Sequence, residues 1–290
     1  MDPPVVSVVV PTRGRAAYLE VTLDSLLDQR TEAAHEILVV DDGAQDATAS
    51  VVAARPSVRY VAHGEARGLN AARNTGVRES RAALIAFVDD DVLAPPGWLD
   101  AVVEGSRRHA SAEAFGGPIR ARFEGSTPRT CGREEPPITT LDLGPDDCEA
   151  TKAWGANFAV RRAAVERVGA FDERIVRPHG DEEEWIERLC AAEGKVVYLA
   201  GAGLDHRRTG EDARLGPLAR AAYARGRAAR ASDRRRERAP SLGNELRVLG
   251  GCAWHTARRG CPQGLIMGAH SAGRVVEALR PLPALRPDSR

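Results

Sequence analysis

Apolar and polar positions follow two rhythms along the first hundred residues. Short β-branched runs recur as VVSVVV at 5–10, EILVV at 36–40, VRYVA at 58–62 and ALIAFV at 83–88, and runs of this length and composition predict strands. Leu19, Leu23, Leu26 and Leu27 fall at helical spacing between the first two runs, and Leu69 to Glu79 reads as a helix between the third and fourth. Such alternation predicts a parallel sheet with both faces covered. Pro95 and Pro96 are excluded from a helix interior but suit a first turn, so Trp98, Leu99, Val102 and Val103 mark the buried face of a further helix.

The rhythm fades over 124–150, where Gly, Pro, Thr, Asp and Glu predict a surface loop of the length that often serves as a lid. It returns with VRRAAVERVG at 160–169, a helix from Asp181 to Glu193 and a strand KVVYLA at 195–200. From about 212 an Arg- and Ala-rich helix begins, followed by a tail punctuated by Gly and Pro. The domains expected are therefore 1–212 and a helical extension, 213–290.

Composition narrows the function classes. Lys and Arg number 41 and so do Asp and Glu, a balance that argues against gripping a nucleic-acid backbone by charge neutralisation. Aromatic residues make up 4%, so the core must be built mainly from Ala, Val and Leu. The five cysteines, at 131, 148, 190, 252 and 261, contain no CxxC pair, which suggests neither a disulfide framework nor a zinc ribbon and implies a reducing compartment. No secretory leader pattern opens the chain, and no run reaches the roughly 18 apolar residues of a spanning helix. A cytoplasmic protein is expected, with peripheral contact to a membrane left open.

In open α/β sheets ligands bind outside the carboxyl ends of the strands. Here those ends carry Pro11, Thr12, Arg13, Gly14 and Arg15, then Asp41, Asp42 and Gly43, then Asp89, Asp90 and Asp91. Three consecutive carboxylates after a buried strand repel one another unless a cation or hydrogen-bond donors offset them. Mg²⁺ or Mn²⁺, which takes one or two carboxylates together with phosphate oxygens, would do so, and a solvated acidic turn is the plainer reading. Asp41 and Asp42 fit either a helix cap or acceptors for a nucleotide's base or ribose.

The segments SVVVPTRGR, EILVVDDGAQDAT, GLNAARNTGV, FVDDDVLAPPGWL, WGANFAVRR, VGAFDE and GDEEEWIERLCAAEGKVVY, in this order over about 5–210, resemble family 2 of the inverting glycosyltransferases. The resemblance implies an α/β fold of the GT-A type, a Rossmann-like mixed sheet flanked by helices. It implies a donor half at about 5–100, an acceptor half at about 110–212, and a nucleotide-diphospho-sugar donor, a UDP-sugar by default. Pro11, Thr12, Arg13 and Arg15 would lie against the nucleotide, Asp41 and Asp42 at the base, and Arg73 and Asn74 near the diphosphate. Asp89, Asp90 and Asp91 match the DxD motif, with Asp91 and Asp89 as ligands of Mn²⁺ or Mg²⁺ and Asp90 beside the donor.

Inversion needs a general base opposite the leaving diphosphate. The family's carboxylate at a helix start matches Asp181 and Glu182, in reversed order, and both stand as candidates. Trp154, Gly155, Ala156 and Asn157 resemble the segment beneath the donor sugar and acceptor, although a Trp there also suits the core. His206 aligns with a position that completes a metal site, and an imidazole favours Mn²⁺ over Mg²⁺. The Arg-rich run 220–238 reads as a solvated helix, with an acidic acceptor or anionic lipid as rival partners. The acceptor class, glycan, lipid-linked or small-molecule, is open. A nucleotidyltransferase or dehydrogenase is disfavoured because the first turn has no GxGxxG. A sugar-nucleotide-binding scaffold without catalysis is the remaining alternative.

Overall fold

The computed structural model describes residues 3–125, 138–175 and 181–280. Its contacts divide the chain into a unit comprising 1–124 and 138–209 and a second comprising 125–137 and 210–290.

In the first unit the elements are β1 (Val6–Thr12), α1 (Ala16–Leu27), β2 (His35–Asp42), α2 (Asp46–Ala53), β3 (Val58–His63), α3 (Leu69–Glu79), β4 (Leu84–Val88), β5 (Val92–Leu93) and α4 (Trp98–Arg108). There follow β6 (Ala114–Gly116), β7 (Ile119–Glu124), β8 (Cys148–Ala150), β9 (Asn157–Arg161), α5 (Arg162–Val168), α6 (Asp181–Ala191), β10 (Val196–Tyr198) and β11 (Leu204–Thr209). The main sheet has the order β3-β2-β1-β4-β9-β6-β10-β8, and β5-β11-β7 form a smaller one.

The expected parallel core is present, since β3, β2, β1 and β4 are parallel neighbours. The sheet becomes mixed at β9, which runs antiparallel to both β4 and β6. Side chains alternate between its faces. Val6, Val8 and Val10 pack with Leu19, Leu23 and Trp98, whereas Val9, Leu38 and Phe87 pack with Ala72, Phe171 and Trp185. Gly76 lets α3 lie close on β1, because a Cβ there would sit 2.4 Å from Val9 Cγ1. Burying a Val or Leu side chain contributes about 1.5–3 kcal/mol, so two or three of these side chains offset the several kcal/mol that one buried carboxylate costs. The sheet's apolar interior thereby supports the acids at its end.

The prolines at 95 and 96 precede α4 instead of entering it, and Gly97 takes the left-handed conformation at its N-cap. The expected loop at 124–150 includes the edge strand β8 and a bridge between Ile119 and Leu141; residues 126–137 lie outside the described residues. The second unit contains a short 3-10 turn at Gly210–Ala213, then α7 (Leu215–Arg235), α8 (Leu242–Arg259) and α9 (Pro262–Ala278). Among the described cysteines, Cys148, Cys190 and Cys252 are free, but Cys261 is disulfide-bonded. The expectation of a wholly reduced set is corrected on that point: an odd count without CxxC does not exclude a single disulfide. Cys131 lies outside the described residues. No helix among the described residues is long and apolar enough to cross a membrane.

Candidate active site

The turn after β4 carries the acid run into the protein rather than out to solvent. Asp90 is 4% and Asp91 1% exposed, while Asp89 is half-buried. Thr22 of α1 clamps the turn, donating to the carbonyl of Asp90 at 2.8 Å and accepting from the amide of Val92 at 3.2 Å. Thr12, the last residue of β1, donates to Asp90 Oδ2 at 2.7 Å. Arg15 reaches Asp90 Oδ1 at 2.8 Å and Asp91 Oδ2 at 2.6 Å. Its guanidinium lies over the Tyr18 ring, 4.5 Å from the centroid, and the Tyr18 hydroxyl accepts from the amide of Thr209 at 3.0 Å.

From the smaller sheet, β11 delivers His206 and Arg208 to the same place, their i and i+2 positions sharing one face. His206 Nε2 lies 3.2 Å from Asp91 Oδ1, and Arg208 donates to Asp91 Oδ2. Ligand atoms of Asp89, Asp91 and His206 all lie within 4.8 Å of one another. The strand was not expected, and His206 sits inside it.

Burial and mutual repulsion separate the three acids electrostatically. Burial and the neighbouring Asp91 charge raise Asp89 above the usual carboxylate range. Burial pushes Asp90 up to about 7 even though Arg15 and the Thr12 hydroxyl oppose it. Burial acts on Asp91 too, but His206, Arg208 and Arg15 outweigh it and hold that carboxyl far below the ordinary range. Burial lowers and Asp91 raises His206, with a net rise. The negative charge is thus concentrated on Asp91.

The donor set fits a divalent cation. Asp91 Oδ1 is buried with no well-aligned hydrogen bond, His206 Nε2 standing 3.2 Å from it, an arrangement that leaves the oxygen open to a further partner. His206 Nδ1 is 3.1 Å from the carbonyl of Thr139, so it carries a proton, and a cation bound at Nε2 would displace the proton that the neighbouring Asp91 favours there. The bond to Thr139 turns Nε2 toward Asp91, as the outer hydrogen bond of a metal-ligating histidine does.

The other expected site residues are placed as follows. Pro11 is buried within β1 and Arg13 is exposed beyond it. Asp42 is held by three donors: His63 Nδ1 at 2.9 Å, the amide of Arg67 at 2.7 Å and the amide of Gly68 at 2.9 Å. Burial opposes ionisation here, yet these donors prevail and hold the carboxyl below its ordinary value. Asp41 Oδ2 accepts from the Gln45 amide and the Tyr60 hydroxyl, and its buried Oδ1 accepts no hydrogen bond. Neither acid caps α2, whose N-cap is Gln45. Asp41 instead holds backbone of the turn after β2, and Asp42 holds backbone of the turn after β3.

Arg73 is 2% exposed. It faces Glu182 Oε2 at 3.5 Å and stands 5.8 Å from the Phe171 centroid. Glu182 also accepts from the amide of Gly155 at 3.2 Å. A Cβ on Gly155 would lie 1.9 Å from Arg73 Nη2, so any larger residue there would push the guanidinium out of its place. Arg73, Gly155 and Glu182 therefore form one group. The side chain of Asp181 lies outside the described residues. Trp154 packs partly buried against the larger core cluster. Asn74 spends its amide on the 171–173 turn, donating to the Phe171 carbonyl and Glu173 and accepting from the Phe171 amide. Asn157 joins Trp98 Nε1 to the carbonyls of Pro118 and Ala202. Both asparagines brace the loops around the site.

Tyr18, Thr22, His63, Thr139 and Arg208 were not foreseen. Arg208 had a readable signal, its spacing of two from His206; the others act across distant segments.

Comparison with known proteins assigns the class. Residues 7–169 match the model of glycosyl transferase family 2, and the chain belongs to that family. It is 27% identical over 67% of its length to the glycosyltransferase AglE of Haloferax volcanii, of which the match covers 64%. It is 30% identical over 70% of its length to the pre-mycofactocin glycosyltransferase of Mycobacterium tuberculosis, covering 43% of that protein. It is also 30% identical over 65% of its length to validoxylamine A glucosyltransferase of Streptomyces hygroscopicus subsp. jinggangensis, covering 52%. The chain thus spans about half the length of the last two. Among solved structures it resembles the mannosyltransferase PcManGT from Pyrobaculum calidifontis in complex with GDP-Man and Mn²⁺, with TM-score 0.65 and 17% identity over 96% of this chain and 88% of that one. This likeness establishes the GT-A fold.

Proposed function

We propose that the chain is an inverting glycosyltransferase that moves a sugar from a nucleotide-diphosphate donor, a UDP-sugar by default, to a hydroxyl-bearing acceptor. The observation that carries this reading is the convergence of Asp89, Asp91 and His206, whose ligand atoms lie within 4.8 Å of one another. A divalent cation held by these three would supply charge neutralisation for the departing diphosphate. The imidazole favours Mn²⁺ over Mg²⁺.

Asp90, locked to Thr12 and Arg15, sets the turn that aims its two neighbours. Arg15 adds a positive charge beside the donor. Asp42, pinned by backbone amides, presents a fixed wall for a base, and Asp41 keeps one oxygen for the ribose. Arg73 holds Glu182 against Gly155, which places a carboxylate beneath the segment expected to carry sugar and acceptor. Glu182 would take the acceptor's proton, with Asp181 the other candidate base.

A metal-independent version of the same transfer is favoured by one observation: Arg15 and Arg208 already bind Asp91. Initial rates with UDP-, dTDP- and GDP-sugars before and after chelation, followed by Mn²⁺ or Mg²⁺ add-back, separate the two. The metal reading expects activity to vanish with chelator and return with the ion. Unchanged turnover in chelator would assign the charge work to Arg15 and Arg208.

A further inference from the structure

In the second unit, α8 and α9 form an antiparallel hairpin. Cys252 and Thr256 of α8 face Gly264, Gly268 and Ser271 of α9 along the contact line. On α9, Leu265, Ala269, Ala272, Val276 and Leu279 repeat at spacings of four and three, about a quarter turn from that line at about 100° per residue. Leu242, Leu246, Leu249 and Ala253 repeat in the same way on α8. Because the helices are antiparallel, the two stripes fall on one face of the hairpin. That face is open: Leu246 and Leu265 are 50% and Leu279 65% exposed, and Trp254, beside the stripe of α8, is 68% exposed.

Charge selects the occupant. Between 242 and 280 the acids are Glu245 and Glu277, 3% and 7% exposed. Glu245 is held by Arg230 and Arg274, and Glu277 by Arg227. The exposed charges of the hairpin are Arg247, Arg258, Arg259 and Arg280, all positive. A second copy placed face to face would set arginine against arginine with no exposed acid to answer it. An anionic surface that also accepts apolar side chains satisfies both features.

We propose that the α8–α9 hairpin docks on anionic phospholipid membranes, its leucine stripes entering the acyl boundary, its arginines meeting lipid phosphates and Trp254 at the interface. This holds whether or not the transfer reaction above is correct.

The test is flotation of the full chain with vesicles of phosphatidylcholine alone and with about one third phosphatidylglycerol, at low and high salt, with Trp254 emission, taken as the difference between wild type and Trp254→Phe, as a second readout. Binding only to the anionic vesicles, weakened by salt and accompanied by a blue shift, is expected. Leu246→Ala with Leu265→Ala should cut binding at least tenfold, and Arg247→Ala with Arg258→Ala should remove the preference for anionic lipid. Circular dichroism checks that each variant is folded. Equal binding to neutral vesicles, no binding to either, or lipid-free dimerisation lost in the leucine variant would each overturn the proposal.

Discussion

Two acid pairs stand at the ends of β2 and β4, the strands on either side of β1 in one sheet, and the structure treats them differently. Asp41 and Asp42 end β2, where backbone amides, a tyrosine and a histidine hold them, although Asp41 Oδ1 accepts no hydrogen bond. Asp90 and Asp91 follow β4, where the side chains of Arg15, Arg208 and His206 hold them. Backbone amides are fixed, and a carboxylate saturated by them is part of the architecture. Side-chain cations move, and a carboxylate held by them can exchange partners. Asp42 is thus built to stay and Asp91 to bind and release, although both read as members of Asp runs at the end of an apolar strand.

The largest break in this contrast comes from Asp91→Asn. If the carboxylate is the principal charge at the donor, transfer falls about 10³-fold, and the thermal midpoint falls as well because Arg15, Arg208 and His206 lose the charge that pairs them. Initial rates and a melting curve on one preparation check both. A variant with near-normal rates would move the metal reading elsewhere.

Glu182→Gln is expected to lower kcat by about 10² to 10⁴-fold with KM for the donor little changed. Glutamine keeps the hydrogen bond from the Gly155 amide but does not accept a proton. A change confined to KM would make Glu182 a positioning residue and leave the base to Asp181.

A smaller effect tests exchangeability directly. His206→Ala should weaken Mn²⁺ binding about 10 to 100-fold, whereas Arg208→Ala should strengthen it, because the ion no longer competes with a guanidinium for Asp91. Isothermal titration with Mn²⁺ on each variant measures both. Equal weakening by the two would show that Arg208 supports the ion instead of standing in its place.

Much of this was legible from local pattern. The strands β1 to β4, the helix Leu69–Glu79 and the acid run at 89–91 depend on neighbours within a few residues, and periodicity reports such neighbours. The strands β5, β6, β8 and β10 have only two or three residues each, too short for alternation to register; of these, only β10 lay within an expected strand. Nor does a sequence reveal that Asn74 is spent on a turn almost a hundred residues away, or that Thr139 orients His206. The letters DD are the same at 41–42 and 90–91; their difference lies in what the rest of the chain brings to them.

The smallest expected effect falls on stability, at the fixed pair. Asp42→Asn leaves an oxygen for one donor but turns an NH₂ toward another, so one of the amides of Arg67 and Gly68 or His63 Nδ1 loses its acceptor. A buried donor left unpaired costs about 1–3 kcal/mol. The folded carboxyl lies below its ordinary value, with burial opposed by the Arg67 amide, His63 and the Gly68 amide. Its contribution is therefore present above the unfolded value, about 3.9, and is lost as pH falls through the lower folded one. Melting curves from pH 7 downward should show the variant below wild type at neutral pH and the two converging in acid. A constant gap at every pH would mean that Asp42 acts through shape rather than charge, and the contrast between the two pairs would have to rest on Asp91 alone.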